Sequence, residues 1–129
     1  MEDIHIQGYK GAYIIPTVDF YANEGVCELS GESFLEETAK FYSPLLDWIK
    51  EYIYEVKKPI TFNFKLTYFN TSTSKWILNI LNVFKRYEDN GGEVIVNWYY
   101  HEDDIDMQDD IEDYIIDTGL KINLYIFED

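Results

Sequence analysis

Four consecutive hydroxyl residues offer the clearest candidate for chemistry in this sequence. They lie between Asn70 and Lys75, and they are Thr71, Ser72, Thr73 and Ser74. The run follows a predicted strand and precedes a predicted helix. One hydroxyl could cap that helix by accepting a hydrogen bond from a free N–H of its first turn, at a gain of roughly 1 kcal/mol. Capping explains one such residue and does not require four.

Phosphorylation is the second interpretation of the same run. A phosphoryl group at a helix start meets unpaired N–H donors and the positive end of the helix dipole, so the fold would tolerate it. It would also add about −1.5 to −2 charges to a surface that a partner contacts, which is enough to reverse binding without unfolding the protein. From the residues alone, both the cap and the switch stay open.

An acidic stretch at residues 102–113 suggests a metal site, because it holds eight carboxylates and no Lys or Arg. Its spacing argues against a calcium loop, which needs glycine at its sixth position. If Asp104 and Asp106 fill the first and third positions, Asp109 stands at the sixth. A solvated acidic helix face or a charged docking surface therefore remains the favoured interpretation.

The remaining reactive side chains lack the neighbours that catalysis requires. His5 and His101 have no HExxH spacing and no nucleophile signature beside them. Cys27 lies in a short apolar run that predicts a strand with a small buried thiol. Phosphate-cradling glycine loops are missing. We therefore expect no cofactor, no bound metal and no catalytic activity.

Composition restricts the class of partner. The chain has 129 residues and 47% hydrophobic residues, which predicts a single folded domain over residues 1–129. Its net charge of −15 would repel nucleic acid and anionic lipid surfaces. Apolar runs of about 20 residues and a signal peptide are both missing from the sequence, so we expect no membrane partner and a cytoplasmic location.

The first half of the chain predicts a hairpin, a helix and a strand. Residues 17–21 and 26–30 flank a turn at Asn23–Gly25. Ser43 and Pro44 are typical of a helix start, with the apolar stripe following them. Residues 60–69 alternate strictly, and the predicted buried face comprises Ile60, Phe62, Phe64, Leu66 and Tyr68. We expect the core to include this face together with Trp48 and Trp76.

The second half predicts two more helices, each followed by a strand. One helix begins near Ser74 and ends at Gly91 and Gly92, before a strand at residues 93–100. The next runs through Met107 and Ile115 to end before Gly119, and a last strand covers residues 121–127. Helices and strands that alternate in this way favour an α/β fold with one mixed, partly parallel sheet and crossover helices.

Several segments together resemble a known family. Residues 68–75 are similar to its aromatic/aliphatic-Asn-Thr-Ser-Ser-x-Lys run, and residues 96–100 followed by the acidic stretch match a second segment. Residues 17–20 and 43–52 extend the likeness over most of the chain. On these segments the sequence resembles the SiaC-type regulatory phosphoproteins, whose fold is similar to the STAS domains of anti-sigma-factor antagonists.

The resemblance implies a partner switch with Thr71 as the phosphoacceptor. In such a system a histidine-kinase-like protein kinase phosphorylates the threonine and a PP2C-type phosphatase removes the phosphate. The unphosphorylated form binds and activates a downstream target such as a diguanylate cyclase. Asn70, Ser72, Thr73, Ser74 and Lys75 would flank the switch. Residue 71 is expected in a turn that a kinase can reach.

Two positions depart from the family pattern. Thr73 stands where serine is usual, and Ile111 stands before Glu112 where a small residue is common. Two alternatives also stay open. One is a STAS-like module that binds a small anion or nucleotide at the same helix start. The other is a small enzyme that uses the acidic stretch.

Overall fold

A mixed six-stranded sheet forms the centre of the computed structural model, which describes residues 1–128. The strands in chain order are β1 (Ile4–Ile6), β2 (Tyr9–Lys10), β3 (Ile14–Ile15), β4 (Thr17–Tyr21), β5 (Val26–Ser33), β6 (Ile60–Phe69), β7 (Val94–Tyr100) and β8 (Ile122–Ile126). The main sheet has the order β1-β4-β5-β6-β7-β8, while β2 and β3 pair separately. The pairs from β5 to β8 are parallel, and β1-β4 and β4-β5 are antiparallel.

Three helices connect the parallel strands. They are α1 (Thr38–Glu51), which continues as a π-helical turn over Tyr52–Val56, then α2 (Thr71–Asp89) and α3 (Ile105–Thr118). Each crossover moves the chain one strand further in the same direction. Right-handed crossovers in one direction place their helices on one face of the sheet. Within residues 1–128 no helix is long and apolar enough to cross a membrane.

The helix-covered face of the sheet forms the core. Aligned rows of side chains cross the parallel strands, and one such row pairs Leu29 with Phe64 and Phe64 with Trp98. All three are fully buried. The rings of Phe64 and Trp98 stack with their centroids 4.3 Å apart. Aromatic stacking of this kind adds to the free energy of burial.

The opposite face is polar. In one row Asn123 Nδ2 donates to Asn97 Oδ1 at 3.0 Å, and Asn97 Nδ2 donates to Asn63 Oδ1 at 2.9 Å. Lys65 continues this surface by pairing with Glu28 at 2.8 Å. Because one face is polar and the other apolar, the pairing register of each strand is strongly determined.

The predicted order of elements is confirmed. The hairpin, the three helix–strand units and the mixed, mostly parallel α/β sheet all occur as expected. Cys27 is a buried thiol on a strand, as predicted. The short strands β1 to β3 were not predicted, because two or three residues are too few to show a periodicity.

The predicted start of the first helix is wrong. α1 begins at Thr38 and holds Pro44 in its interior. An interior proline loses a hydrogen bond and costs about 3 kcal/mol or more. Tyr42 and Thr38 are buried about one and two turns before the apolar stripe that begins at Leu45, so the helix packs against the core ahead of the proline. Tertiary packing therefore outweighs the local start signal.

The predicted core position of Tyr68 is also wrong, because its side chain is 49% exposed. Trp76 is partly buried and packs against the edge of the core, where its ring stacks on that of Tyr42. The register between β5 and β6 shifts at Gly31 and Glu32, where an extra residue of β6 is accommodated. Such a bulge reverses the alternation of side chains beyond it, so that Phe69 turns inward instead. The ring centroid of Phe69 lies 6.4 Å from that of Trp98.

Substitution at two positions of β6 tests this description. Phe64→Ala should lower the free energy of unfolding by about 3–5 kcal/mol, because it removes a buried ring and leaves a cavity. Tyr68→Ala should cost less than half as much, since its ring is half exposed. Denaturant unfolding followed by tryptophan fluorescence measures both. Equal losses would contradict the bulge.

Candidate functional site: the start of helix α2

The hydroxyl run lies inside the first turn of α2. The helix begins at Thr71, and Asn70 is its N-cap residue with extended backbone angles of φ −86 and ψ 174. Asn70 Oδ1 accepts a hydrogen bond from the backbone N–H of Thr73 at 3.1 Å. The expectations that a hydroxyl caps the helix and that it begins near Ser74 are therefore wrong. Asparagine is among the most favourable N-cap residues. With Asn70 as the cap, the helix begins at Thr71, three residues before the predicted start.

Thr73 anchors a buried chain of hydroxyl groups. Its side chain is fully buried, and its Oγ1 lies 2.7 Å from Asn70 Oδ1 and 2.9 Å from Ser33 Oγ. Ser33 Oγ in turn lies 2.6 Å from the hydroxyl of Tyr42. This series of hydrogen-bonded hydroxyl groups therefore joins the end of β5, helix α1 and the start of α2.

The amide of Asn70 fixes the direction of these hydrogen bonds. A carboxamide oxygen only accepts, so Thr73 must donate its proton to Asn70. Ser33 must then donate to Thr73, and Tyr42 to Ser33. Asn70 Nδ2 donates to the backbone carbonyl of Leu35 at 3.3 Å, which is consistent with this orientation of the amide. Each hydroxyl proton in the chain has one acceptor.

Two further hydroxyls of the run are also held in place. Ser72 Oγ donates to Asn70 Oδ1 at 3.1 Å. Ser74 Oγ lies 2.7 Å from the hydroxyl of Tyr114 on α3. Both serines are half-buried. Thr73 and Ser74 therefore bind α2 to its neighbours, and Ser72 binds to the N-cap of its own helix.

Thr71 differs from the other three hydroxyl residues. It is exposed, and within residues 1–128 no side chain is hydrogen-bonded to its Oγ1. Lys75 is also exposed and lies one turn further along the same helix face. A charged group added to Thr71 Oγ1 would thus have an ammonium group nearby and would break none of the bonds described above.

The tyrosines that support the run stay protonated at neutral pH. Burial raises the pKa of Tyr42 to about 12. Burial likewise raises the pKa of Tyr114 to about 12, and the carboxylate of Asp110 adds to the effect. Both hydroxyls therefore remain available as donors.

The acidic stretch forms the start of α3, the helix whose Tyr114 contacts Ser74. Asp104 is the N-cap of that helix and accepts a hydrogen bond from Met107 N at 3.0 Å. Partial burial and the neighbouring carboxylates raise the pKa of Asp110. Within the described part of the chain, no three His, Cys, Asp or Glu side chains converge as metal ligands.

The other reactive groups considered from the sequence are dispersed. Burial raises the pKa of Cys27, so its thiol is not a nucleophile. His5 Nδ1 lies 3.0 Å from Asp19 Oδ1 at the far edge of the sheet. The ring of His101 packs on Phe127 with the centroids 4.8 Å apart. Among the described residues, none of these three side chains forms a hydrogen bond with the hydroxyl run.

Some residues of the site were not predicted. The spacing of Asn70 and Thr73 is that of an N-cap and the third helical residue, and this signal could have identified the cap. Ser33 and Tyr114 each lie 40 positions along the chain from the hydroxyl that they contact, and Tyr42 joins the run through Ser33. No local pattern marks such long-range partners.

Taken together, the fold and site define a mixed α/β domain with one accessible threonine on a rigid helix start. The model of the SiaC family of regulatory phosphoproteins matches residues 9–127. The chain belongs to that family, as its resemblance predicted.

Solved structures of similar fold come from Pseudomonas aeruginosa. SiaC of that organism has 21% sequence identity and a TM-score of 0.88 and covers 98% of this chain and 100% of its own. Apo-SiaC gives 22% identity and a TM-score of 0.84, covering 97% of this chain and 99% of its own. The structure of SiaC in complex with the diguanylate cyclase SiaD, which it activates, has 19% sequence identity and a TM-score of 0.85. The match covers 95% of this chain and 100% of the matched one.

One curated relative is an uncharacterized protein of Pseudomonas aeruginosa strain UCBPP-PA14. It is 25% identical over 100 residues, which cover 78% of this chain and 77% of the relative. At these identities the solved structures establish the shared fold.

The buried and exposed threonines should respond differently to loss of the hydroxyl. Thr73→Val should lower the free energy of unfolding by about 1–3 kcal/mol, because it leaves the buried hydroxyl proton of Ser33 without an acceptor and removes one of the three hydrogen bonds to Asn70 Oδ1. Thr71→Val should change it by about 0.5 kcal/mol or less. Urea unfolding of both variants measures the difference. A larger loss from Thr71→Val would contradict the assignment of the buried chain.

The buried tyrosine also predicts a pH dependence. The pKa of Tyr42 is raised on folding, so the unfolded state loses this proton first and stability falls as the pH rises from about 10 to about 12. Tyr42→Phe should be less stable than the wild type at neutral pH, and that difference should shrink above about pH 10. A constant or widening difference in urea unfolding would show that Tyr42 is not held protonated.

Proposed function

We propose that the chain is a non-catalytic adaptor whose binding is switched by phosphorylation of Thr71. The observation that carries this proposal is the contrast within the run. Three of the four hydroxyl residues form hydrogen bonds with other side chains. Thr71 is exposed, and among the described residues no side chain forms a hydrogen bond with its hydroxyl. A kinase could therefore reach Thr71 without opening the fold.

The helix start suits a phosphoryl group at this position. Thr71 is the first residue of α2, where the helix dipole favours negative charge by about 0.3–1 kcal/mol. Lys75, four residues on, is placed to pair with the phosphate. Asn70 rather than Thr71 caps the helix, so the modification leaves the cap intact. Its effect would be a change of surface charge, which is the change a docking partner detects.

The partners are proposed from the family. SiaC of Pseudomonas aeruginosa is an activator of the diguanylate cyclase SiaD. By similarity, we infer that the unphosphorylated chain binds and activates a diguanylate cyclase in the cytoplasm. A histidine-kinase-like protein kinase would transfer phosphate to Thr71, and a PP2C-type phosphatase would remove it. Thr73 and Ser74, which bond to neighbouring elements, would keep the acceptor in position.

The two rival functions have less support. An anion-binding module would need the N–H groups of the helix start, and Asn70 Oδ1 already occupies that of Thr73. An enzyme that uses the acidic stretch would need converging carboxylates, and Asp104 is engaged as a cap. The phosphorylation switch needs neither condition.

Peptide mapping after incubation with the cognate kinase and ATP tests the proposal. Wild type should gain one phosphoryl group on the peptide that contains Thr71, and Thr71→Ala should gain none. Ser72→Ala is the matched control and should be labelled like wild type. Thr71→Ala should unfold at the same urea concentration as wild type, because the Asn70 cap is unchanged.

Target binding provides the second measurement. Thr71→Ala should bind the cyclase whether or not the kinase is present, and Thr71→Asp should bind more weakly because it adds charge to the docking face. Label that persists on Ser72, Thr73 or Ser74 in Thr71→Ala at wild-type stoichiometry would overturn the assignment of the acceptor.

A further inference from the structure

Asn70 Oδ1 accepts the hydroxyl protons of two residues in the run. Ser72 Oγ donates to it at 3.1 Å, and Thr73 Oγ1 donates at 2.7 Å. Among the described residues, no side chain forms a hydrogen bond with the hydroxyl of Thr71, although this residue is directly bonded to Asn70 in the chain. One carboxamide therefore separates the hydroxyl groups that it holds from the one that is proposed to react.

A hydrogen bond to a carboxamide makes a hydroxyl group a poorer acceptor of phosphate. In the transfer, the hydroxyl oxygen forms a bond to the γ-phosphorus of ATP, and the bond from that phosphorus to the departing ADP breaks. The hydroxyl proton passes to a base of the kinase. A carboxamide oxygen accepts a hydrogen bond but is too weak a base to take the proton. A hydroxyl bound to it must therefore break that bond before it can react.

Ser72 is the hydroxyl residue that depends most on this restraint. Among the described residues its side chain bonds only to Asn70, and the distance of 3.1 Å exceeds the roughly 2.7–2.8 Å that is typical of hydroxyl donors. Ser72 is half-buried and adjacent to Thr71. Thr73, in contrast, is fully buried and is also bound to Ser33. Without the carboxamide, Ser72 would be the next hydroxyl that a kinase could reach.

We propose that Asn70 is a positioning residue that confines phosphorylation to Thr71, and that Ser72 is a latent second acceptor. This inference rests on the proposed function, because it takes Thr71 to be the residue that the kinase modifies. Asn70 acts through the hydroxyl of Ser72, whose proton it binds. Loss of one hydrogen bond of typical strength corresponds to about a fivefold change in an equilibrium, so the labelling of Ser72 should rise by at least that factor when the acceptor is removed.

Two substitutions separate the hydrogen-bond acceptor from the helix cap. Asn70→Gly removes the acceptor but keeps most of the capping effect, because glycine is only slightly less favourable than asparagine at an N-cap. Asn70→Asp keeps both, since a carboxylate oxygen can accept the same hydrogen bonds. Both variants lose the hydrogen bond from the amide of Asn70 to Leu35. Circular dichroism should show that both are folded, and the cognate kinase with ATP should still label Thr71 in each.

Peptide mapping of double variants that lack Thr71 gives the decisive result. In Asn70→Gly/Thr71→Ala, label on Ser72 should rise at least about fivefold above its level in Thr71→Ala. Asn70→Asp/Thr71→Ala should stay at that level, because the acceptor is retained. Tyr114→Phe/Thr71→Ala is the matched control, since it removes the contact of Tyr114 with Ser74 in the same turn and leaves Asn70 unchanged. It should gain no label on Ser72.

The outcomes separate this inference from the proposed function. If wild type is labelled on Thr71 and the glycine double variant gains no label on Ser72, the inference is overturned and the proposed function stands. Equal labelling of Ser72 in the aspartate or Tyr114→Phe double variant would also overturn it, because a looser helix start would then be the cause. So would loss of the Thr71 label in Asn70→Gly, which would mean that the kinase reads Asn70 directly. A wild type without label on Thr71 would overturn both.

Discussion

The carboxamide of Asn70 holds the candidate site together. Its oxygen accepts hydrogen bonds from the backbone of Thr73, the hydroxyl of Thr73 and the hydroxyl of Ser72, at 3.1, 2.7 and 3.1 Å. Its nitrogen donates to the carbonyl of Leu35. A single side chain thus starts helix α2, orients a buried chain of hydroxyls and joins the ends of two parallel strands. Buried polar groups are costly unless every one is satisfied, so this arrangement has little freedom to change.

This rigidity gives the neighbouring threonines opposite roles. Thr71 and Thr73 are only two residues apart, and helical geometry turns them to different sides of α2. Thr73 faces Ser33 in the interior, while Thr71 faces solvent. A phosphoryl group on Thr71 can therefore alter the surface charge while the interior stays the same. A switch of this kind acts through the charge of the surface that a partner contacts, and it needs no change of fold.

Regular elements were predictable because their signals are local. The strict alternation of β6 predicted its bounds, and Gly119 with its positive φ of 75 marked the end of α3 as expected. Failures occurred where distant contacts decided the outcome. The bulge opposite Gly31 turned Phe69 rather than Tyr68 toward the core, and the burial of Tyr42 moved the start of α1 ahead of Pro44. Neither effect can be recognised from the ten or so residues of sequence around the position concerned.

The candidate site was predictable to a similar degree. The position and chemistry of the hydroxyl run were clear from the sequence, and the family resemblance singled out Thr71. The structure adds the reason that the four hydroxyls differ, because Ser33, Tyr42 and Tyr114 arrive from elements remote in the chain. Such partners are fixed by the sheet order and helix packing, which local composition does not encode.

The most direct test of the central claim is the mass of the protein isolated from its native cells. Intact-mass spectrometry should resolve two species that differ by one phosphoryl group, and fragmentation should place that group on Thr71. Treatment with a phosphatase should convert the heavier species into the lighter one. A single unmodified species under every growth condition, or a phosphoryl group placed on Ser72, Thr73 or Ser74, would contradict the account.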